Sequence, residues 1–428
     1  MLSRLDLRGQ DLSRLPRPAD MGVLPVEAVR EVLAEVRKRG DAAVRELTAR
    51  FDGVDLDGLR VGDAELRRAL ADAEPSLRQA LEAAAEAIED YHRHQLSDDE
   101  RVYRRDGIVV RDLRRPVDRA GLYVPGGRAC YPSTVLMTAI PARVAGVAEL
   151  ALCVPPGADG RVAAPTLAAA ALVGVDEVYR IGGAQAVAAM AYGTESVRPV
   201  DVIAGPGNLY VSAAKREVAG EGVVGVPSAF AGPSEVVVVA DDATRADFAA
   251  IDLVVQAEHG PAGLAWLVTW SEAVADAVTD AVTAFVAASP RRADVESTLG
   301  RGGYAVVVQG PEQAMEVANA IAPEHLELMS ADPEALLPLV RHAGAVFCGG
   351  HSPASVGDYI AGPSHVLPTY GSARFAGGLR TDDFVRWVHA VTVEPAALGR
   401  VAPHVAALAE AEGLVAHAES VRVRERSA

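Results

Sequence analysis

Cysteine is scarce in this chain: Cys130, Cys153 and Cys348 are the only three among 428 residues. An odd total without a C-x-x-C pair excludes a disulfide framework and a thiolate zinc site, and it points to a reducing compartment. Positive charge is also in deficit. A formal net charge of -17 argues against nucleic acid or an anionic membrane surface as partner, because both demand a basic footprint. The Arg-rich stretches at 104–119 and at Arg422, Arg424 and Arg426 are short and interleaved with acids or apolar residues, so they read as solvated or ion-paired surface. The longer apolar runs are interrupted by Ala, Gly and Pro, so none reads as a spanning helix, and the opening Met1-Leu-Ser-Arg-Leu has no apolar signal region. A cytoplasmic protein is expected. Also missing is a G-x-G-x-x-G between a strand and a helix, the usual dinucleotide fingerprint.

What is present is core. A hydrophobic share of 50% with 23% charged residues marks a packed globular chain. Its length exceeds the roughly 250–300 residues that one core holds, so several domains are expected. Val29, Val32, Leu33 and Val36 fall at helical spacing, and 64–94 repeats that pattern with many alanines, which makes the N-terminal quarter helical. From Gly121 the texture changes to short β-branched runs, each closed by Gly or Pro and followed by Ala-rich helical text. Such runs occur at 150–154, 177–181, 200–204, 235–240, 264–269, 304–309 and 344–347. They are too many for one sheet. Near-continuous apolar strands alternating with helices imply parallel sheets covered on both faces, with ligands at the carboxyl ends of strands. After Leu379 helical text returns, with a segment at 402–412, and the chain finishes in a β-like run at 420–423.

Four segments carry groups that can do chemistry. The strand at 235–240 leads to a helix whose start is marked by Thr244 with Asp247 three residues on, like a capping box. On it Asp252, Gln256 and His259 share one face, either as a solvated stripe or as metal ligands. Glu324 and His325 stand side by side just after Pro323, where a helix can begin. An adjacent acid and base suit stepwise proton transfer, and a glutamate complementing a helix dipole explains the same text. The segment 349–365 is dense in Gly, Pro, His and Asp, as a functional loop beyond a strand is, and carries Asp358 and His365. Glu412-Gly413 followed by His417 reads by itself as a helix ending at a glycine cap. Together Gln256, His259, Asp358 and His417 offer an amide oxygen, two imidazoles and a carboxylate, a borderline donor set that suits zinc. For a nucleotide there are Gly-rich strand ends at 121–127, 181–185 and 204–208, which either receive a pyrophosphate on backbone N–H groups or serve as tight turns.

The order of these segments resembles the histidinol dehydrogenase family, from about residue 25 to the C-terminus. The resemblance is carried by Gly121-Leu-Tyr-Val-Pro-Gly-Gly, Pro132-Ser-Thr-Val-Leu-Met, Gly182-Gly-Ala-Gln-Ala, Ala204-Gly-Pro-Gly-Asn, Ala231-Gly-Pro-Ser-Glu, Gln256-Ala-Glu-His, Ala322-Pro-Glu-His-Leu-Glu, Val356-Gly-Asp-Tyr, His365-Val-Leu-Pro-Thr and Glu412-Gly-Leu with Ala416-His417. It implies an α/β chain with two Rossmann-like parallel-sheet domains, a helical N-terminal region and a small C-terminal domain. The implied division is 1–120 as a helical segment packing on the catalytic domain, 121–232 for NAD, 233–375 for zinc and catalysis, and 376–428 as a segment crossing to the partner of a homodimer. It further implies one zinc per subunit on Gln256, His259, Asp358 and His417, and NAD on Tyr123, Gln185 and Asn208. L-histidinol would be held by Ser234, His325, His365 and Glu412 together with the zinc ligands, and oxidised through the aldehyde to L-histidine with two NAD, at the end of histidine biosynthesis. His325 would take the alcohol proton, and Glu324 would activate water for the second oxidation. Other readings of the same residues are a related dehydrogenase of a small, for example sulfonated, diol, a zinc hydrolase using Glu324, and a non-enzymatic α/β binding protein.

Overall fold

The computed structural model describes residues 2–16, 25–126, 129–227, 234–258 and 263–426. Strand β1 (Ser3–Asp6) is followed by helices α1 (Val26–Arg39), α2 (Asp41–Asp52), α3 (Asp63–Ala71) and α4 (Pro75–His94), then by strands β2 (Glu100–Arg105) and β3 (Ile108–Pro116). A first α/β unit runs β4 (Arg119–Tyr123), α5 (Pro132–Ala145), β5 (Glu149–Val154), α6 (Ala164–Leu172), β6 (Glu177–Arg180), α7 (Gly183–Tyr192), β7 (Val202–Ala204) and α8 (Leu209–Gly220). A second unit starts with β8 (Glu235–Ala240), α9 (Ala246–Ala257), β9 (Leu264–Thr269), α10 (Glu272–Ala288) and α11 (Arg292–Gly302). It continues through β10 (Gly303–Val307), α12 (Pro311–Ile321), β11 (His325–Met329), α13 (Pro333–Leu336), β12 (Ala345–Cys348) and α14 (Ala354–Tyr359). Strand β13 (Val385–Val393) and helices α15 (Pro395–Ala411) and α16 (Val415–Glu425) close the chain.

The two parallel sheets are wound alike. The first has strand order β6-β5-β4-β7 and the second β1-β10-β9-β8-β11-β12. Each begins at a central strand, moves outward twice, then crosses to the other side, which opens a crevice between β4 and β7 in one and between β8 and β11 in the other. Strands β8 and β9 are buried along their whole length because helices cover both faces, which explains their unbroken apolar text. Each fully buried Val or Leu there contributes roughly 1.5–3 kcal/mol relative to exposure. One backbone approach in the first sheet is very close: Gly205, at φ +110, would place a Cβ 2.1 Å from the Tyr123 carbonyl oxygen. Only glycine fits there.

The structure corrects several expectations. The N-terminal quarter is not all helix, since β1 pairs in parallel with β10 and β2 pairs antiparallel with β3. Its helices do not pack chiefly on the second unit: Val29, Val32, Leu33 and Val36 share a core with Val187, Ala188 and Cys153 of the first. Only β1 joins the second sheet. The division at 232/233 falls outside the described residues. The stretch read as helical after Leu379 contains β13, paired over nine residues with β3. The β-like run at 420–423 lies inside α16, because Val421 packs on Ala406, Ala409 and Ala418 between α15 and α16. Arg114 and Arg119, read as surface, are buried: Arg114 donates to the Ala145 carbonyl, and Arg119 forms a fork with Glu177 and reaches Glu149 at 3.0 Å. Among the described residues no helix is long and apolar enough to cross a membrane.

Candidate active site

The Glu324–His325 pair opens β11 rather than a helix. The proline that suggested a helix start precedes a strand whose residues His325 and Leu326 pair with Val236 and Val237 of β8. Both side chains are buried, and so is Glu235 at the start of β8. The Glu235 main chain ties the pair down. Its N–H donates to Glu324 Oε2 at 3.1 Å, and its carbonyl accepts from His325 Nδ1 at 3.3 Å. A carbonyl can only accept, so Nδ1 holds a proton in either charge state, and Nε2 is the nitrogen that gains or loses one. That nitrogen stands 3.4 Å from Asp358 Oδ1, an ionic contact without hydrogen-bond alignment. Glu324 Oε2 lies 3.6 Å from His325 Nδ1.

Burial dominates the electrostatics. It raises the Glu324 carboxyl above its ordinary value, with His325 and the Glu235 amide acting in the opposite direction. For His325 burial acts downward, but the carboxylates of Glu324 and Asp358 overcome it and push the imidazole up to about 9. Glu235 is likewise pushed up to about 8 by burial, even though its Oε1 accepts from Tyr370 N at 2.8 Å.

Asp358 reaches this cluster because α14 runs back toward the start of β11. Its first residue, Ala354, donates its N–H to Glu327 Oε1 at 3.1 Å, in the middle of β11, and Asp358 is one turn further on. Glu327 also meets Asp252 of α9 in a hydrogen-bonded carboxyl pair, with burial raising both. Asp252 and Gln256 are buried, so the polar face of α9 points inward and not to solvent. The helix itself starts at Ala246 without a side-chain cap. Thr244 instead accepts from Asp241 N at 2.9 Å and donates to the Met329 carbonyl, so the capping-box reading fails. His365 ties the site to the first unit: Nδ1 bonds the Asp358 carbonyl at 2.9 Å and Nε2 lies 3.0 Å from Thr134 Oγ1.

Other expected positions are distributed unevenly. Ser234 precedes β8 and lies close enough to Glu324 to favour its ionised form. His259 lies outside the described residues. Glu412 and His417 are exposed on the C-terminal helices, and the hydrogen bonds and ion pairs of the His325 cluster run to Glu235, Glu324 and Asp358 rather than to either of them. Consistently, no group of three or more His, Cys, Asp or Glu able to hold a metal is assembled among the described residues of the single chain. Of the expected ligands that are described, Gln256 is buried with its amide nitrogen unpartnered, a group that serves a cation only when the amide is turned to present its oxygen, and Asp358 Oδ1 stands beside His325 Nε2. Sequence reasoning missed Glu235 and Glu327. A charged residue inside an otherwise apolar buried strand was the available signal for both.

At the first sheet, Tyr123 ends β4, Gln185 lies in the first turn of α7, and Asn208 caps α8 by accepting from Tyr210 N and Val211 N at 3.0 and 3.1 Å. The Tyr123 hydroxyl accepts from Gly183 N at 3.1 Å. All three line one cavity of about 860 Å³, within the size range of cofactor sites.

The profile of the family described as histidinol dehydrogenase matches residues 19–425. The chain is 48% identical over 397 residues to a histidinol dehydrogenase of Geobacillus kaustophilus, covering 93% of each. It is 46% identical over 431 residues to one of a Synechococcus strain, covering 100% of this chain and 99% of the relative. A crystal structure of histidinol dehydrogenase from Elizabethkingia anophelis superposes with a TM-score of 0.93 at 33% identity, over 100% of this chain and 98% of that one. The diol dehydrogenase alternative finds no support among these relatives.

Proposed function

The chain belongs to the histidinol dehydrogenase family, and from that premise we propose that it oxidises L-histidinol through the aldehyde to L-histidine, with one zinc and two molecules of NAD per turnover. The observation that carries this reading is the buried Glu324–His325 pair held by Glu235, with Asp358 at His325 Nε2. A hydrolase would need the water-activating glutamate but not the cavity around Tyr123, Gln185 and Asn208. A binding protein would use the cavity but gives no reason for the Glu324–His325 pair. Three free cysteines and the absence of a spanning helix among the described residues fit work in the reducing cytoplasm.

Zinc would be held by Gln256, His259, Asp358 and the partner's copy of the residue at position 417, and when bound it supplies a template for the substrate's nitrogens. NAD would lie against Tyr123, Gln185 and Asn208 and supply the hydride acceptor. The chain's own residues do the proton work. His325, its Nδ1 proton fixed on the Glu235 carbonyl, offers Nε2 to the alcohol proton. With Asp358 engaged by a cation, Glu324 alone would hold a proton on that imidazole. Glu324, made more basic by burial, takes a proton from the water that adds to the aldehyde. His365 and Ser234 orient the substrate, and Glu412 closes the site from the neighbouring subunit. The exposure of Glu412 and His417 in the single chain, with Leu408, Leu414 and Val415 bare beside them, supports that crossing.

Counting NADH released per L-histidinol consumed, before and after chelation and zinc restoration, tests the reaction. About two NADH per substrate with zinc-restored activity is the expected result for two hydride steps; a ratio of one, or indifference to zinc, overturns it. Shared sites are tested by mixing two inactive variants, His325→Asn and His417→Ala. Random dimers should recover about a quarter of the activity, since each heterodimer has one intact site. No recovery refutes the crossing.

A further inference from the structure

The cavity at the first sheet is unusually acidic on one wall. Besides Tyr123, Gln185 and Asn208 it is lined by Glu31 and Glu35 of α1 and by Asp52, the last residue of α2, with Arg50 as the lining guanidinium and Arg39 pairing Glu35 at 2.9 Å from outside the lining. Gln185, 1% exposed, has no partner for either its amide oxygen or its nitrogen among the described residues. An amide buried with both groups unsatisfied is costly unless a ligand completes it. Asp52 is in the same condition: burial raises its carboxyl, and its Oδ2 is buried without a partner. Arg50 does not neutralise it, lying instead over the Phe51 ring at 5.1 Å.

In doubly wound dinucleotide sites the acid that reads the adenosine ribose stands at the end of the second strand. Here the second strand, β5, ends at Val154 and is followed by Pro155 and Pro156, which line the cavity without a charge. The next acid, Asp159, is turned onto its own loop, accepting from Arg161 N at 3.1 Å. The position usually responsible is therefore vacated, and a carboxylate reaches the same cavity from α2.

We infer that Asp52 is the residue that selects NAD over NADP, its carboxylate accepting the 2′-hydroxyl of the adenosine ribose while Glu31 and Glu35 repel a 2′-phosphate. A hydroxyl can donate to a carboxylate, whereas a phosphate dianion brings only acceptors and like charge. The inference rests on the NAD reading of this cavity.

Equilibrium dissociation constants for NADH and NADPH, measured by nucleotide fluorescence on the metal-stripped dimer, test it without relying on turnover. The native chain should prefer NADH. Asp52→Asn should narrow the NADPH/NADH ratio by about 10- to 100-fold, the worth of a hydrogen bond to a charged group. Glu31→Gln with Glu35→Gln should tighten NADPH alone. Asp52→Ser serves if the asparagine variant melts early. A ratio unmoved in the Asp52 variants, with NADH still bound, overturns the inference and leaves the NAD reading standing. If the native chain binds neither nucleotide, or Gln185→Ala changes neither affinity, the NAD reading falls and takes the inference with it.

Discussion

The two parallel sheets share one winding yet use opposite edges. In the first, Tyr123 and Asn208 flank the crevice between β4 and β7 at the carboxyl ends of those strands, where open α/β sheets ordinarily bind ligands. In the second, the corresponding mouth between β8 and β11 is filled. Asp241 Oδ2 accepts from Ala331 N at 2.8 Å and Thr244 bonds the Met329 carbonyl, closing the carboxyl edge. The acid, the base and Glu235 sit instead at the amino ends of β8 and β11. Topology therefore says where a crevice can open, and the side chains lining it decide whether it does. The contacts of Ser364 with Met137 and of His365 with Thr134 bring the open edge of one sheet against the working edge of the other. Under the proposed function, hydride acceptor and proton acceptor would then meet from opposite sides.

The largest expected effects break the amino edge of the second sheet. His325→Asn should slow the first oxidation by about 10²- to 10⁴-fold, the usual worth of a positioned general base. Glu324→Gln should spare that step and impose a comparable loss on the second. Single-turnover assays starting from the alcohol and from the aldehyde separate the two. Equal losses in both steps would show that the residues act as one unit, against the division of labour argued from Glu235's two separate main-chain bonds.

Next comes the carboxyl edge of the first sheet. Gly205→Ala sets a Cβ 2.1 Å from the Tyr123 carbonyl at φ +110, and should destabilise the protein by about 4 kcal/mol, in the range of severe backbone conflicts. Denaturant melts measure this. A mild loss would mean that β7 can move away from β4, and that this edge is not held as a fixed surface for NAD.

The difference between the edges also explains what the sequence could reveal. The strands at 235–240 and 264–269 were legible because burial on both faces leaves their middles wholly apolar, with Glu235 and Thr269 as polar residues only at the ends. The first-sheet turns were legible as glycine-rich strand ends because they follow the ordinary rule, and Tyr123, Gln185 and Asn208 beside them line one cavity. The second-sheet site was legible as motifs but misplaced as structure: Pro323 suggested a helix, and nothing local reveals that His325 will pair with Val236. β13 was missed for the same reason, its partner β3 lying far back along the chain. His417 carries a second kind of non-locality, since its proposed destination is not in its own chain.

A smaller effect distinguishes stability from catalysis at the far end of the first sheet. The Arg119 fork, with help from Tyr179 and Arg198, holds Glu177 down to about 2 from its ordinary 4.5, against the opposing effect of burial. A depressed carboxyl stabilises the folded chain at pH values above its unfolded pKa, and that contribution disappears as pH falls from there toward 2. Glu177→Gln should therefore cost about 2 kcal/mol at neutral pH, after allowance for solvent and for Glu149 as remaining partner. Its stability should also decline less steeply on acidification. Urea midpoints at a series of pH values check the slope. An unchanged slope would assign the acid sensitivity to other carboxylates, with Glu177 reduced to packing.

The smallest effect is the sharpest test of the comparison. Asp241→Ala removes the carboxylate that accepts from Ala331 N at 2.8 Å and from Ala243 N at 2.9 Å. If the carboxyl edge of the second sheet is only a closed seam, the loss should be about 1 kcal/mol of stability, the net worth of such hydrogen bonds, with kcat/KM unchanged per folded molecule. Thr244 would still bridge to the Met329 carbonyl and keep the seam shut. A fall in kcat/KM without a matching fall in stability would mean that this edge communicates with the site at the other end of β8 and β11. The two sheets would then differ in which edge meets the ligand, but not in whether the switch point matters.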